Sequence, residues 1–168
     1  MGGRSMIEAA KPLFAFEDRM NKYMDKLYRF HEYGIIWNGD RQKDVTLIID
    51  GETKLIEHKY RYFPDKIWND ILVEIVQNIP SNEKGWIHEC QSDILTYIIC
   101  QGEKLDEHIV YYYDIQFKEF REWLWGWISI KRKLQYITSI SGYGVTLNLS
   151  VPLDDIPENL IKRYEYDL

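Results

Sequence analysis

Asp44-Val-Thr-Leu-Ile-Ile-Asp-Gly-Glu-Thr-Lys-Leu-Ile-Glu-His-Lys-Tyr60 is the stretch on which the fold turns. Two runs rich in β-branched residues flank Asp50-Gly51. That dipeptide favours the two-residue turn of a β-hairpin, whose central positions take positive φ. With Asp50-Gly51 as the turn, Ile49 faces Glu52, Ile48 faces Thr53, and Asp44 falls opposite Glu57. Side chains alternate along a strand, so Leu55, Glu57 and Lys59 share one face, and Asp44 and Thr46 lie on that same face. Directly opposed Cβ atoms are about 4.5–5.5 Å apart. Two carboxylates at that spacing repel and need compensation. A divalent cation between them supplies it. Hard carboxylate oxygens suit Mg2+ or Mn2+, which keep positions open for water and a phosphate, and Lys59 then sits where it can act on that phosphate. The competing account is a salt-bridge cluster on a strand surface, with Lys59 bridging two acids.

Around the hairpin the pattern alternates between the two periodicities. Leu13, Phe16, Met20, Tyr23, Met24, Leu27 and Phe30 recur at helical spacing, with Gly34 as the expected stop. Beyond the hairpin, Ile71–Gln77 alternates as a strand, and 78–85 holds Pro80-Ser81-Asn82 and reads as a loop. A short helix is expected over Trp86–Gln91, and strands over Asp93–Cys100 and Ile109–Tyr113. Phe117–Leu134 returns to helical spacing, Val145–Val151 is a late strand, and the charged C-terminal tail reads as a short helix or solvated loop. This order predicts an α/β or α+β domain with a mixed central sheet flanked by helices.

The 168 residues suit one domain with a real core, and 45% hydrophobic with 29% charged residues is a globular composition. Met1–Ser5 reads as a cloning remnant, leaving 6–168 as the domain. Two cysteines, Cys90 and Cys100, make no disulfide framework and no zinc spacing, and the four histidines show no ligand spacing either. No apolar stretch is long enough to span a bilayer, so a cytoplasmic protein is expected. A net charge of −6 argues against a surface that attracts DNA everywhere, while leaving room for one basic face.

Asp44, twelve intervening residues and then Glu57-His58-Lys59 resembles the PD-(D/E)xK nuclease superfamily, the restriction-endonuclease-like fold. Holliday-junction resolvases of archaea carry a similar arrangement with an acid on a preceding helix. The family core is a helix, a run of antiparallel strands, a helix and a further strand, and the reading from Phe16 to Tyr113 looks like it. The later succession is similar to small nuclease-like proteins of bacteria and their phages: an acidic strand at Ile71–Gln77, a Gly-Trp turn, a strand opening with Asp93, then a strand and helix. The resemblance implies a metal-dependent enzyme hydrolysing DNA phosphodiester bonds, an endonuclease or resolvase. Asp44 and Glu57 would be its Mg2+ or Mn2+ ligands and Lys59 its catalytic lysine. His58 fills the variable position and should point to the opposite face. Lys43 stands where the family name has Pro, a frequent departure. Glu17 or Asp18 would be the acid on the helix. A non-catalytic module of the same fold, binding nucleic acid or protein, and a phage or mobile-element accessory protein are the alternatives.

Other residues carry weaker signals. Glu74, inside an apolar strand, is a candidate additional acid, with Gln77 on the other face unless a bulge intervenes. Arg41, Lys43, Arg61 and Lys66 surround the hairpin site in sequence and are candidate phosphate-binding residues. Lys131-Arg132-Lys133 suits a helix C-terminus, where cations are favoured. Trp86 and Trp123 read as core anchors. In Glu122-Trp-Leu-Trp-Gly-Trp127 the three tryptophans cannot all face one core, so at least one, such as Trp125, should be exposed for stacking or for a partner subunit. A homodimer would suit an enzyme that cuts both strands.

Overall fold

The computed structural model describes residues 6–40, 43–63, 68–102, 108–141 and 144–166. Met1–Ser5 lies outside them. Helix α1 runs over Met6–Phe30. Met20, Met24 and Leu27, at helical spacing, are buried, while Phe30 points to solvent. The helix stops before Gly34: Glu32 takes φ 57°, its N–H bonds to the Arg29 carbonyl, and the Tyr33 N–H bonds to the Tyr28 carbonyl. This Schellman closure satisfies the last carbonyls without a glycine. Gly34 instead opens a strand.

Strands β1 (Gly34–Asp40), β2 (Lys43–Ile49) and β3 (Glu52–Phe63) form an antiparallel meander. The β2–β3 register runs from Ile49↔Glu52 to Val45↔Ile56, as the Asp50-Gly51 turn dictates. Asp50 and Gly51 both have positive φ, 51° and 82°. The chain then leaves for β4 (Asp70–Asn78), β5 (Glu83–Lys84) and a single helical turn, α2 (Trp86–Glu89). It returns with β6 (Ile94–Gln101), which pairs with β3 in parallel from Ile56↔Ile94 to Phe63↔Gln101. Next come β7 (His108–Gln116), α3 (Phe117–Ile130), β8 (Gln135–Ser141), β9 (Gly144–Pro152) and β10 (Ile161–Glu165).

Among the described residues these elements form an α+β domain with three α-helices and two sheets. One sheet has the order β1-β2-β3-β6-β7-β10 and the other β5-β4-β9-β8. The single central sheet expected from sequence is thus divided, and Ile71–Gln77 belongs to the smaller sheet. The tail expected as helix or loop forms the edge strand β10 after a short 3-10 turn at Leu153–Asp155. The last helix ends at Ile130, short of the expected Leu134, so Lys131 caps it and pairs with Asp155.

Two apolar clusters hold the layers together. On one face of the large sheet, Met20, Met24, Leu27 and Tyr28 of α1 pack on Val45, Leu47, Ile56 and Ile98. On the other, Leu95, Tyr97 and Ile99 pack with Phe117, Phe120 and Leu124 of α3 and with Ile71, Val73, Leu149 and Val151 of the small sheet. Polar ties reinforce the second contact. Arg61 donates to the Asp70 carboxylate at 2.6 Å and to its carbonyl at 2.7 Å, and the Tyr97 hydroxyl accepts the Leu72 N–H at 3.1 Å. No helix among the described residues is long and apolar enough to cross a membrane.

Candidate active site

Alternation along β3 sends Ile56, His58 and Tyr60 towards α1 and sends Glu57, Lys59 and Arg61 to the opposite face. Val45 and Leu47 share the α1 face, so Asp44 looks out on the side of Glu57. It stands one step beyond the last ladder pair, Val45↔Ile56, where its carboxylate Oδ2 accepts the backbone N–H of His58 at 2.7 Å. The hairpin therefore places Asp44, Glu57 and Lys59 as the turn predicts.

Glu57 is buried, and its Oε1 meets the Lys59 ammonium at 2.6 Å. Burial opposes the charge on Lys59, but Glu57, with Asp44 and Glu74, outweighs it and raises the lysine's pKa. The lysine therefore stays cationic at neutral pH. Its Nζ also lies 5.8 Å from the centre of the Trp86 ring, within cation–π range.

Two further acids face this ammonium. Glu74 reaches it from β4 of the small sheet, and its Oε1 accepts the Trp86 backbone N–H at 3.3 Å. Glu17, on α1, makes no ion pair with it but feels its charge, along with those of Asp44 and Asp18. Burial raises the pKa of Glu17, Asp44 and Glu74, partly offset in each by Lys59. Glu57 thus pairs with Lys59 directly, while Asp44, Glu74 and Glu17 act on the same neighbourhood through their fields. The neighbourhood is acidic in balance, and burial there favours the neutral forms of Glu17, Asp44 and Glu74.

The donor chemistry fits a hard divalent ion. Asp44 and Glu57 would hold it, Asp44 through the oxygen not engaged by His58. Among the described residues, no group of three or more His, Cys, Asp or Glu side chains is arranged so that it could hold a metal ion, so Asp44 and Glu57 would be the only pair of protein ligands there. Such an ion would take its remaining positions from water and substrate.

Behind the acids, His58 is buried, and its Nε2 shares a hydrogen bond of 2.7 Å with the Tyr28 hydroxyl. Burial and then Lys59 lower its pKa to about 3, so it is neutral. Tyr60 hydrogen-bonds Asn21, whose Oδ1 also lies 3.4 Å from His58 Nδ1. This polar set fixes the backbone that presents Glu57 and Lys59.

The remaining candidates scatter. Asp18 is exposed beside Glu17. Arg61 is buried against Asp70 with its guanidinium 4.7 Å from the Trp68 ring centre, so it ties the two sheets together. Arg41 and Lys66 lie outside the described residues, as does the side chain of Lys43. Gln77 follows a β-bulge at Ile75, between the pairs Glu74↔Asn148 and Val76↔Leu147, which breaks the ideal alternation. Trp123 packs on the core, whereas Trp125 is exposed and stacks on His88 at 5.2 Å. Trp86 packs on the core as expected but also flanks Lys59, a role its position after Gly85 does not announce. No family model, no curated protein and no solved structure matches this chain.

Proposed function

We propose that the protein is a metal-dependent nuclease of the PD-(D/E)xK type that hydrolyses DNA phosphodiester bonds. The observation that carries this reading is the hairpin geometry, which sets the Asp44 carboxylate against β3 at His58 and pairs buried Glu57 with Lys59 at 2.6 Å, with the charges of Glu17 and Glu74 acting on the same place. An isolated surface salt bridge needs two charges. Five, drawn from a helix and three strands at the cost of burial, make a site for a further charged species. The element order adds support: a helix, three antiparallel strands, a helical turn and a strand returning parallel to β3 follow the order of that family's core. Strands β4 and β5 stand between the meander and that helical turn, and β4 is the acidic strand of the resemblance.

A bound Mg2+ or Mn2+ would polarise the phosphate and lower the pKa of an attacking water. The protein's own part is positional. Asp44 and Glu57 would hold the ion. Lys59, held cationic, meets the negative charge that grows on the phosphate oxygens. Glu17 and Glu74, whose pKa values burial raises, would be the candidate acceptors for the proton of the attacking water. Purified protein should cut duplex, single-stranded or branched DNA in Mg2+ or Mn2+. Lys59→Ala and Asp44→Ala should each lower the rate at least about a hundredfold, in the range typical of lost charge stabilisation. Wild type and variants equally inert on all three forms would remove the enzyme claim.

One observation favours a second reading. The Glu57–Lys59 pair is already closed at 2.6 Å, as it would be in a non-catalytic member of the fold that binds nucleic acid or protein. Calorimetry separates the two. DNA binding without any heat of divalent-ion binding belongs to the second.

A further inference from the structure

The two sheets have four edges, and three are blunted. The β5 edge is two residues long, Glu83-Lys84. The β10 edge carries Lys162, Arg163 and Glu165 within five residues. The β1 edge loses its register between Trp37 and Asp40. Short length, charge and irregularity are the usual ways in which a sheet avoids pairing with another chain. The fourth edge, β8, has none of them. Gln135-Tyr-Ile-Thr-Ser-Ile-Ser141 has no charge, no proline and no glycine, and it pairs with β9 without interruption from Gln135↔Ser150 to Ser141↔Gly144. Among the described residues its other side has no hydrogen-bonded neighbour. Tyr136 and Ile140 project from one face with 51% and 88% of their surface exposed.

From this edge we infer that the protein forms a two-fold dimer by antiparallel pairing of β8 with β8 of a second copy, centred on Thr138. The strand is complementary to itself in that register. Thr138 meets its own mate on the axis, and Tyr136 meets Ile140 of the second copy twice. Aromatic and β-branched residues are favourable cross-strand partners. Gln135 meets Ser141 and Ile137 meets Ser139, so no like charges are opposed anywhere along the strand. A charged partner would gain nothing from this neutral edge, whereas a second copy satisfies every unpaired N–H and C=O with an identical row. The two-fold closes the edge, so association stops at two. The result is a continuous eight-stranded sheet, β5-β4-β9-β8 joined to its mate.

Sedimentation of the full chain across a micromolar-to-submillimolar range should show mass rising towards twice that of one chain. Ile140→Lys, at a side chain that supports nothing within the monomer, should weaken association about tenfold or more and leave the melting temperature of the dissociated protein unchanged. Thr138→Cys should form an intermolecular disulfide on mild oxidation, because the two residues face each other across the axis. Wild type does not link by this route, since Cys90 and Cys100 are buried. A single-chain mass at every concentration overturns the inference. So does a dimer that persists in Ile140→Lys and is not linked in Thr138→Cys.

Discussion

At Gly85 a Cβ atom would lie 2.1 Å from the Glu74 carbonyl oxygen and 2.7 Å from the Ile75 carbonyl carbon. The close approach arises because the Gly85 N–H bonds to the Ile75 carbonyl at the bulge, at 2.9 Å. The next residue, Trp86, holds the Glu74 side chain through its own N–H. One glycine thus sets both the backbone and the aim of the acid that the small sheet contributes. Gly85→Ala should cost about 1–3 kcal/mol, the usual penalty for overpacking a rigid contact, measured by urea unfolding. Unchanged stability would mean that Glu74 is held by something else. His58 permits a second test. Its folded-state pKa of about 3 lies below the unfolded value near 6.5, so the folded protein binds fewer protons there. The stability tied to its neutral ring is full above pH 6.5 and is lost as pH falls towards 3. Asp114, raised by burial to about 6, works in the opposite direction, so the whole protein's profile is a blend. The comparison with His58→Gln isolates the ring: wild type should lose about 2–3 kcal/mol of its advantage between pH 7 and pH 4.5, and a constant gap would contradict a ring kept neutral by burial. At this scale Asp44, Glu57 and Lys59 were legible, because one turn dipeptide dictates their register. Glu17 and Glu74 were named as candidate acids, but their influence on Lys59, and the Trp86 ring beside it, arise only through the docking of separate elements, which no local spacing encodes.

Elements were legible where one face is buried and the other wet. The Asp50-Gly51 hairpin, β4, β6 and β9 fall close to their expected places because apolar alternation or continuous burial marks them. Besides the two-residue β5, which lies in the stretch read as a loop, three strands escaped notice for different reasons. In β1, Gly34 resembles a helix stop and Asn38-Gly39-Asp40 a turn, so the short apolar run between them carries little weight. Strand β10 lies at an edge and carries the charge that edges require, which makes it look like solvated tail. Strand β8 pairs on one side only and buries little, so alternation gives a faint signal. The end of α1 shows how a misplaced boundary arises. A helix closed by the Schellman motif needs a left-handed residue, and glycine is the usual choice, but here Glu32 adopts it at φ 57° with a glycine two positions away. Glu32→Gly should therefore relieve backbone strain and stabilise the fold by up to about 1 kcal/mol, visible as a small rise in melting temperature. A fall would show that the Glu32 side chain contributes more than its backbone costs.

At the scale of the molecule, helices and strands in roughly this number follow from composition and periodicity, but the division into two sheets does not. It depends on β4 leaving the meander, bulging at Ile75, and being tied back by Arg61, Asp70 and Tyr97 across long stretches of chain. That tie brings Glu74 to Lys59, so the candidate site exists only when both sheets are docked. Ion binding to it should then stabilise the whole fold, by about 2.7 kcal/mol at a hundredfold excess over the dissociation constant. For a domain of this size that is a rise of very roughly 5–10 °C in melting temperature. Asp44→Asn should abolish the rise. Lys59→Ala should keep it or enlarge it, because Glu57 is released from its ion pair, even though the same change removes the cation that cleavage requires. Protonation competes with the ion. Since burial raises the pKa of Glu17, Asp44 and Glu74, protons bind them at a higher pH than they bind exposed carboxylates, and the stabilisation by Mn2+ should fade as pH falls, sooner than it would for exposed carboxylate ligands. Melting curves with and without Mn2+ at several pH values read all three effects together. If neither wild type nor Lys59→Ala shifts at pH 7.5, the acids hold the lysine and nothing else.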